Sequence, residues 1–320
     1  MPNHECVIIA NPEGNAWGFA NDIYKSLSKR DKKFKLNELR VEKFRDGETK
    51  VRIKENIRRA NCFFIHDSSL HPDEWKTQLH FVNHAMKFSS ANEIVDVLPY
   101  HKFLRQDRKD ESRVGVNAKA IADMIGLYAD RVLTIDAHFE QIQGFYDIPV
   151  DNLYSSITLS EYLRERHPEL LKNVVVMSPD VGGTTRARGF ANKLGIEDIA
   201  IGHKHRPKPG EISEDYKIVG DVAGRDVLLI DDIVDSGGTL VTAAVTAKKL
   251  GAKQVYSYCT HGVFSEGARE RMAGGLDLAI VSDSIYQPSH EGIEVMPLAP
   301  LFAEAIYRTN EGESLSELFK

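Results

Sequence analysis

The chain has few cysteines, only Cys6, Cys62 and Cys259 among 320 residues, and they stand too far apart for a metal knuckle or a dense disulfide framework. They read as buried strand residues of a protein kept reduced. An excess of basic charge is also missing. The formal net charge is −6, which argues against general nucleic-acid binding and requires that any phosphate-binding cations be gathered locally. No apolar run is long enough to span a bilayer, and the polar start Met1-Pro-Asn-His-Glu5 has no secretory core, so the expected location is the cytoplasm and no membrane partner is expected. Low-complexity tracts are absent. The remainder is a chain of ordinary globular composition, long enough for two domains.

Apolar stretches of strand length alternate with helical patterns. Glu5 to Ala10, Leu39 to Phe44, Thr49 to Ile53, Cys62 to His66, Ile94 to Leu98 and Val132 to Ile135 read as strands. Trp17 to Leu27, Asp73 to Phe88 and Ala118 to Tyr128 read as helices, the second with Trp75, Leu79, Val82 and Met86 on one side. The second half repeats the theme, with strands at Val174 to Met177, Ile199 to Ile201, Val227 to Ile230, Val255 to Cys259 and Leu278 to Val281. Its helices run over about Arg186 to Leu194 and Leu240 to Leu250. This alternation predicts an α/β architecture with mainly parallel sheets. The expected boundary lies near residue 150, giving domains over 1–150 and 151–320. Arg131-Val-Leu-Thr-Ile-Asp136 echoes Asp226-Val-Leu-Leu-Ile-Asp231, which suggests a duplicated domain whose first copy lacks the Ser-Gly-Gly-Thr continuation of the second.

That continuation belongs to the most informative stretch of the chain. Val227 to Ile230 ends in Asp231 and Asp232, with Asp235-Ser236-Gly237-Gly238-Thr239 opening a helix. Strand-end carboxylates accept hydrogen bonds from vicinal sugar hydroxyls. A glycine turn at a helix N-terminus presents backbone N–H groups to a phosphate. The pattern is that of a sugar-phosphate site. Around it lie further motifs. In Ser178-Pro-Asp180-Val-Gly-Gly183, Asp180 is a strand-end carboxylate suited to Mg²⁺, directly or through water. His203-Lys204-His205-Arg206 precedes a Pro/Gly stretch and reads as a loop whose cations close over a phosphoryl group. Arg105-Gln106-Asp-Arg108-Lys109 can face a polyphosphate. His138 follows a strand. Phe44-Arg-Asp46-Gly-Glu48 is a hairpin signal in which an aromatic ring can stack on a base while the two carboxylates accept from its amino group.

Together, and in this order, these motifs resemble the ribose-phosphate pyrophosphokinase (phosphoribosyl pyrophosphate synthetase) family over nearly the whole chain, including Glu140-Gln-Ile-Gln-Gly-Phe145, Gly220-Asp-Val-Ala-Gly224 and Thr260-His261. The resemblance implies two phosphoribosyltransferase-like domains, with the C-terminal tail packing back on the first. It implies ATP and ribose 5-phosphate as substrates, Mg²⁺ as cofactor and a homohexamer. By residue, it implies a ribose 5-phosphate site at Asp231, Asp232, Asp235, Ser236, Gly237, Gly238 and Thr239. The ATP site is Phe44, Asp46, Glu48, Arg105 and Gln106, with the hairpin lent by a neighbouring subunit. His138 and Asp180 match magnesium-associated positions, and Lys204 and Arg206 the catalytic loop cations. Arg58, Ser90, Ser314 and Ser316 match a regulatory site. The chain departs from the family pattern at His205, where arginine is usual, at Asp110-Glu111, at Gly115-Val-Asn117 and at Asn56. A nucleobase phosphoribosyltransferase would share the Ser-Gly-Gly-Thr device but leaves the Phe44 and Arg105 motifs unexplained. A non-catalytic synthetase-associated subunit is the remaining alternative.

Overall fold

The computed structural model describes residues 5–205 and 215–319; Arg206 lies outside them, as do the side chains of Lys204 and His205. The chain divides into two compact units. The first comprises 1–154, 284–286 and 298–320, and the second 155–283 and 287–297. The division falls after Tyr154 rather than at residue 150, and the end of the chain belongs to the first unit.

The first unit holds a seven-stranded sheet of order β3-β2-β1-β4-β5-β6-β7. Its strands are β1 (Cys6–Ala10), β2 (Phe34–Lys43), β3 (Thr49–Ile53), β4 (Asn61–Ile65), β5 (Glu93–Leu98), β6 (Arg131–Ile135) and β7 (Val150–Leu153). All neighbours are parallel except β2 and β3, a hairpin. Every residue of β1 and β4 is buried, as expected of central parallel strands covered on both faces. Helices α1 (Trp17–Ser28), α2 (Pro72–Phe88) and α3 (Asn117–Gly126) follow β1, β4 and β5. Trp75, Leu79, Val82 and Met86 on α2 are all fully buried, so the apolar stripe read from the sequence is the packed face. Each such side chain contributes about 1.5–3 kcal/mol on burial.

The second unit repeats the plan with order β10-β9-β8-β11-β12-β13-β14. Its strands are β8 (Val174–Ser178), β9 (Ile199–His205), β10 (Asp215–Val219), β11 (Asp226–Val234), β12 (Val255–Gly262), β13 (Leu278–Ser282) and β14 (Ile293–Met296). Again one edge pair, β9 and β10, is antiparallel. Helices α4 (Ser156–Arg166), α5 (Thr184–Leu194), α6 (Gly238–Lys249) and α7 (Ala268–Gly275) belong to it. The last helix, α8 (Ala299–Glu311), completes the first unit: Phe302 packs edge-on against Phe19 at 5.5 Å, and Asn310 accepts a hydrogen bond from Asn61.

The structure departs from the sequence pattern in two respects. It adds β7, α4, β10, α7, β14 and α8, which the pattern does not reveal; β7, with Asp151 and Asn152 in four residues, has poor strand propensity and is held by its register on β6. The echo between Arg131–Asp136 and Asp226–Asp231 does not mark equivalent strands. By position in the sheet, β6 corresponds to β13, and the counterpart of β11 is β4. Buried strands of like composition resemble one another whatever their place.

One buried charge in the first unit carries a consequence for stability. Asp96 on β5 is fully buried; Asn83 Nδ2 donates to its Oδ2 at 2.7 Å, and its Oδ1 has no partner among the described residues. Burial pushes the carboxyl up to about 8. The folded chain therefore holds a proton that the unfolded chain, with a carboxyl near ~3.9, releases. Stability from this group falls as pH rises from about 4 to about 8. Urea denaturation should show Asp96→Asn gaining on the unaltered protein steadily across that window, with little difference at its acidic end. A gap independent of pH would show that Asp96 is ionised throughout.

Candidate functional site

The site in the second unit begins where two strands part. β11 pairs with β8 only from Asp226 to Leu229, but with β12 on to Val234. Beyond Leu229 one side of β11 is therefore free of its neighbour, at the point where the connections leaving β8 and β11 run to opposite sides of the sheet. Open α/β sheets bind ligands at such switch points. The strand expected to stop at Ile230 thus continues through Asp231 and Asp232, and the carboxylates lie within it. The ladder with β12 skips Asp232, and both carboxylates come within reach of one guanidinium. Asp232 is 3% exposed, whereas Asp231 is half-buried.

Arg186 on α5 holds both: its Nη1 lies 2.9 Å from Asp232 Oδ1 and 3.6 Å from Asp231 Oδ1. Burial and the neighbouring Asp232 charge push the Asp231 carboxyl well above the usual carboxylate range, and Arg186 opposes that rise. The sequence motif Gly182-Gly-Thr-Thr-Arg186 contained this arginine, but nothing in its spacing revealed the partner.

The phosphate turn comes next along the chain. Gly237 has φ +73°, in the left-handed region where glycine is favoured, and a Cβ there would lie 2.9 Å from Met272 Cγ and Sδ. Arg271 Nη1 donates to the Ser236 carbonyl, and the Ser265 N–H donates to the Asp235 carbonyl at 3.1 Å. α6 begins at Gly238, so its first N–H groups and the positive end of its dipole face the turn. Ser236 and Thr239 are exposed. Asp231, Asp232 and the whole turn are thus one contiguous site.

Across the parted strands, the loop after β8 is similarly built. The Gly183 N–H donates to Asp180 Oδ1 at 2.8 Å, and Ser178 Oγ donates to the Asp180 carbonyl at 2.6 Å. A Cβ on Gly183 would meet Ser178 Oγ at 2.7 Å. Tyr216 of β10 donates to the Pro179 carbonyl at 2.8 Å while passing over Gly202 of β9, where a Cβ would fall 1.9 Å from its Oη. Lys204 is on β9, and residues 206–214 connect it to β10.

In the first unit, Phe44, Asp46 and Glu48 sit on the β2–β3 turn. The Phe44 N–H donates to the Glu48 carbonyl at 2.8 Å, the Glu48 N–H to Asp46 Oδ1 at 3.1 Å, and the Phe44 ring is 55% exposed. By position in the sheet, the β2–β3 pair that carries this turn corresponds to β9–β10 in the second unit. Arg105 and Gln106 lie on the connection from β5 to α3, where the Gln106 carbonyl accepts from the Ala118 N–H at 3.2 Å. His138 is exposed beyond β6, two residues after Asp136, whose φ of 40° turns the chain there. Of the expected regulatory residues, Arg58 and Ser90 are brought near each other because the Arg59 N–H donates to the Ser90 carbonyl at 2.8 Å. Ser314 and Ser316 bond to one another at 2.8 Å after α8.

Among the described residues, no group of three or more His, Cys, Asp or Glu side chains is gathered to enclose a metal ion. Mg²⁺ retains waters and substrate phosphates and takes only one or two carboxylates from a protein, so the exposed Asp180, with one oxygen engaged by Gly183, fits such an ion.

Removing Arg186 takes away a guanidinium 2.9 Å from the buried Asp232. Arg186→Ala should lower stability by about 3 kcal/mol or more, with Asp232→Asn in the same chain recovering part of the loss. A loss below ~1 kcal/mol in chemical denaturation would show that the pair is solvated.

Two family models match the chain: the N-terminal domain of ribose phosphate pyrophosphokinase over residues 13–127, and the phosphoribosyl synthetase-associated domain over residues 210–320. The chain is 43% identical over 304 residues to the ribose-phosphate pyrophosphokinase of Campylobacter jejuni, covering 94% of this chain and 95% of that one. It is 42% identical over 291 residues to that of Hyphomonas neptunium, covering 89% and 92%. Among solved structures, phosphoribosylpyrophosphate synthetase from Mycobacterium smegmatis superposes with a TM-score of 0.85 at 30% identity, covering 97% of this chain and 99% of the other. With its strand-end carboxylates, glycine turn and paired sheets matched along nearly its full length, the chain belongs to the ribose-phosphate pyrophosphokinase family.

Proposed function

We propose that the protein transfers the diphosphoryl group of ATP to the 1-hydroxyl of ribose 5-phosphate, giving 5-phosphoribosyl 1-diphosphate and AMP for nucleotide biosynthesis. The sugar hydroxyl oxygen bonds to the β-phosphorus and releases its proton to solvent, the bond from that phosphorus to the α–β bridging oxygen breaks, and AMP leaves with the electron pair. The observation that carries this function is the contiguity of Asp231 with a glycine turn that opens α6, a cradle for a pentose phosphate. The phosphate lies on the N–H groups of Ser236 to Thr239, and Asp231 accepts from the ring hydroxyls. Asp232, locked to Arg186, orients Asp231 from behind.

Phe44 stacks on the adenine while Asp46 and Glu48 accept from its amino group. An aromatic ring 55% exposed at a hairpin tip suits a role in a neighbouring subunit's site within a homohexamer. Arg105 and Gln106 hold the polyphosphate. Asp180 and His138 are the residues that would hold Mg²⁺, which supplies neutralisation of phosphate charge when bound. Lys204 and Arg206 stabilise charge on the transferring group. Arg58, Ser90, Ser314 and Ser316 form a regulatory site. Three free, buried cysteines suit the cytoplasm.

No covalent enzyme intermediate is required; positioning and electrostatics carry the rate. Purified protein given ATP, magnesium and ribose 5-phosphate should release AMP in step with phosphoribosyl diphosphate, read by phosphorus NMR. Lys204→Ala should lower kcat by about 100-fold or more, with a much smaller change in ATP affinity. Near-normal turnover in that variant would remove Lys204 from the mechanism, and absence of AMP from the unaltered protein would refute the activity.

A further inference from the structure

The matching strand registers of the two units expose a second crevice. β4 pairs with β1 starting from Asn61 opposite Cys6, and β11 pairs with β8 starting from Asp226 opposite Val174. β1 and β8 are each five residues long. Counting along the strands, His66 and Asp67 therefore stand where Asp231 and Asp232 stand in the second unit. Asn11 to Ala16, leading into α1, take the place of the Pro179–Gly183 loop. As in the second unit, the ladder between β1 and β4 ends, at Phe64, before these residues.

The space between the two connections is a cavity of about 180 Å³, with Asn11, Glu13, Asn15, His66, Asp67 and Gln78 among its walls. At ~30 Å³ per water, that is room for about six waters, or one monosaccharide ring. The walls are held in place. Asp67 Oδ2 accepts from the Asn15 N–H at 2.8 Å, and Asp67 Oδ1 from the Ser69 N–H at 2.9 Å and the Ser69 hydroxyl at 2.6 Å. A Cβ on Gly14 would come within 3.0 Å of Asp67 Oδ2. Gln78 reaches the cavity from α2, is 6% exposed, and its side chain forms no hydrogen bond among the described residues. Its amide is open to the cavity, where it can donate to and accept from a ligand's hydroxyls. His66 bonds through Nε2 to the Trp75 carbonyl at 2.8 Å, so that nitrogen carries the proton and Nδ1 is left as an acceptor. Burial pushes its imidazole down to about 4, keeping it neutral.

This inner wall contains acceptors and amides but no Lys or Arg. α2 begins at Pro72, which has no N–H, so no phosphate cradle like that of α6 exists here. Cations lie further out. A recess of about 370 Å³ shares Asn11, Glu13 and Leu39 with the cavity and is lined by Arg40, Arg52 and Lys54. Arg40 pairs with Glu42 and Lys54 with Glu38, while Arg52 has no ion pair among the described residues. We propose that this crevice is a second ligand site, binding the phosphate ester of a pentose with its hydroxyls on Asp67 and Gln78 and its phosphate toward Arg52. It rests on the geometry of the first unit, independently of the transfer reaction.

The test is titration calorimetry of the full-length protein with ribose 5-phosphate and with ribose. The unaltered chain should bind two molecules of ribose 5-phosphate, and a D231N/T239A variant one. Adding Gln78→Leu should weaken that remaining site at least tenfold, and ribose should bind it at least tenfold more weakly than its phosphate. A crystal of the unaltered protein soaked with ribose 5-phosphate gives the answer without any variant, as density between Asn15, Asp67 and Gln78. One molecule per chain with an empty crevice in the crystal overturns the proposal, as does a remaining site indifferent to Gln78→Leu or to the phosphate. AMP release, measured separately, distinguishes this failure from failure of the proposed activity.

Discussion

Everything in the second unit turns on the parting of β11 from β8 after Leu229. While two parallel strands remain paired, their backbone groups are consumed by the ladder and side chains from flanking helices cover both faces. Where pairing stops on one side only, β11 stays rigid against β12 while a polar crevice opens beside it. Carboxylates placed there are held by a strand rather than by a loop, and the dipole of α6 lies close by. A positioning catalyst needs that combination of rigid support and open access.

The arrangement also costs stability locally. Asp231 and Asp232 are adjacent, one half-buried and the other buried, and they repel each other. Arg186 reconciles them by lying within reach of both, its closer contact being with Asp232. The same logic explains the glycines. Gly183, Gly202 and Gly237 each sit where a Cβ would meet an atom at less than 3.0 Å, so backbone approaches closely where loops must fold over the strand ends.

The two units share one plan, and their differences are instructive. Each carries an antiparallel edge pair, β2 with β3 in the first and β9 with β10 in the second. Each has a switch-point crevice beside its central strand. Among the described residues, only the second has the glycine turn at a helix start. In the first, Pro72 occupies that start, and the polar groups have been redistributed onto Asn15, Asp67 and Gln78. The two units thus share the crevice and differ in its chemistry.

The alternation of apolar runs, the stripe from Trp75 to Met86 and the Asp-Asp and Ser-Gly-Gly-Thr motif were legible in the residues, because period and turn chemistry are local properties. So were the hairpin at Asp46-Gly47 and a helix after the glycine turn, read from Leu240 and beginning at Gly238. Short or polar elements such as β7 were not, since their pairing partner rather than their propensity holds them. Nor was the equivalence of strands: a likeness between β6 and β11 pointed to the wrong pair, because burial selects the same residues in any central strand. Sequence by itself determined the types of the strongly patterned elements and offered side chains suited to phosphate chemistry. Tertiary structure alone decided that β11 runs on past its neighbour, that Arg186 reaches Asp232, that α8 completes the first unit, and that Gln78 faces a cavity. Each of these depends on contacts between residues far apart in the chain, and local pattern carries no record of them.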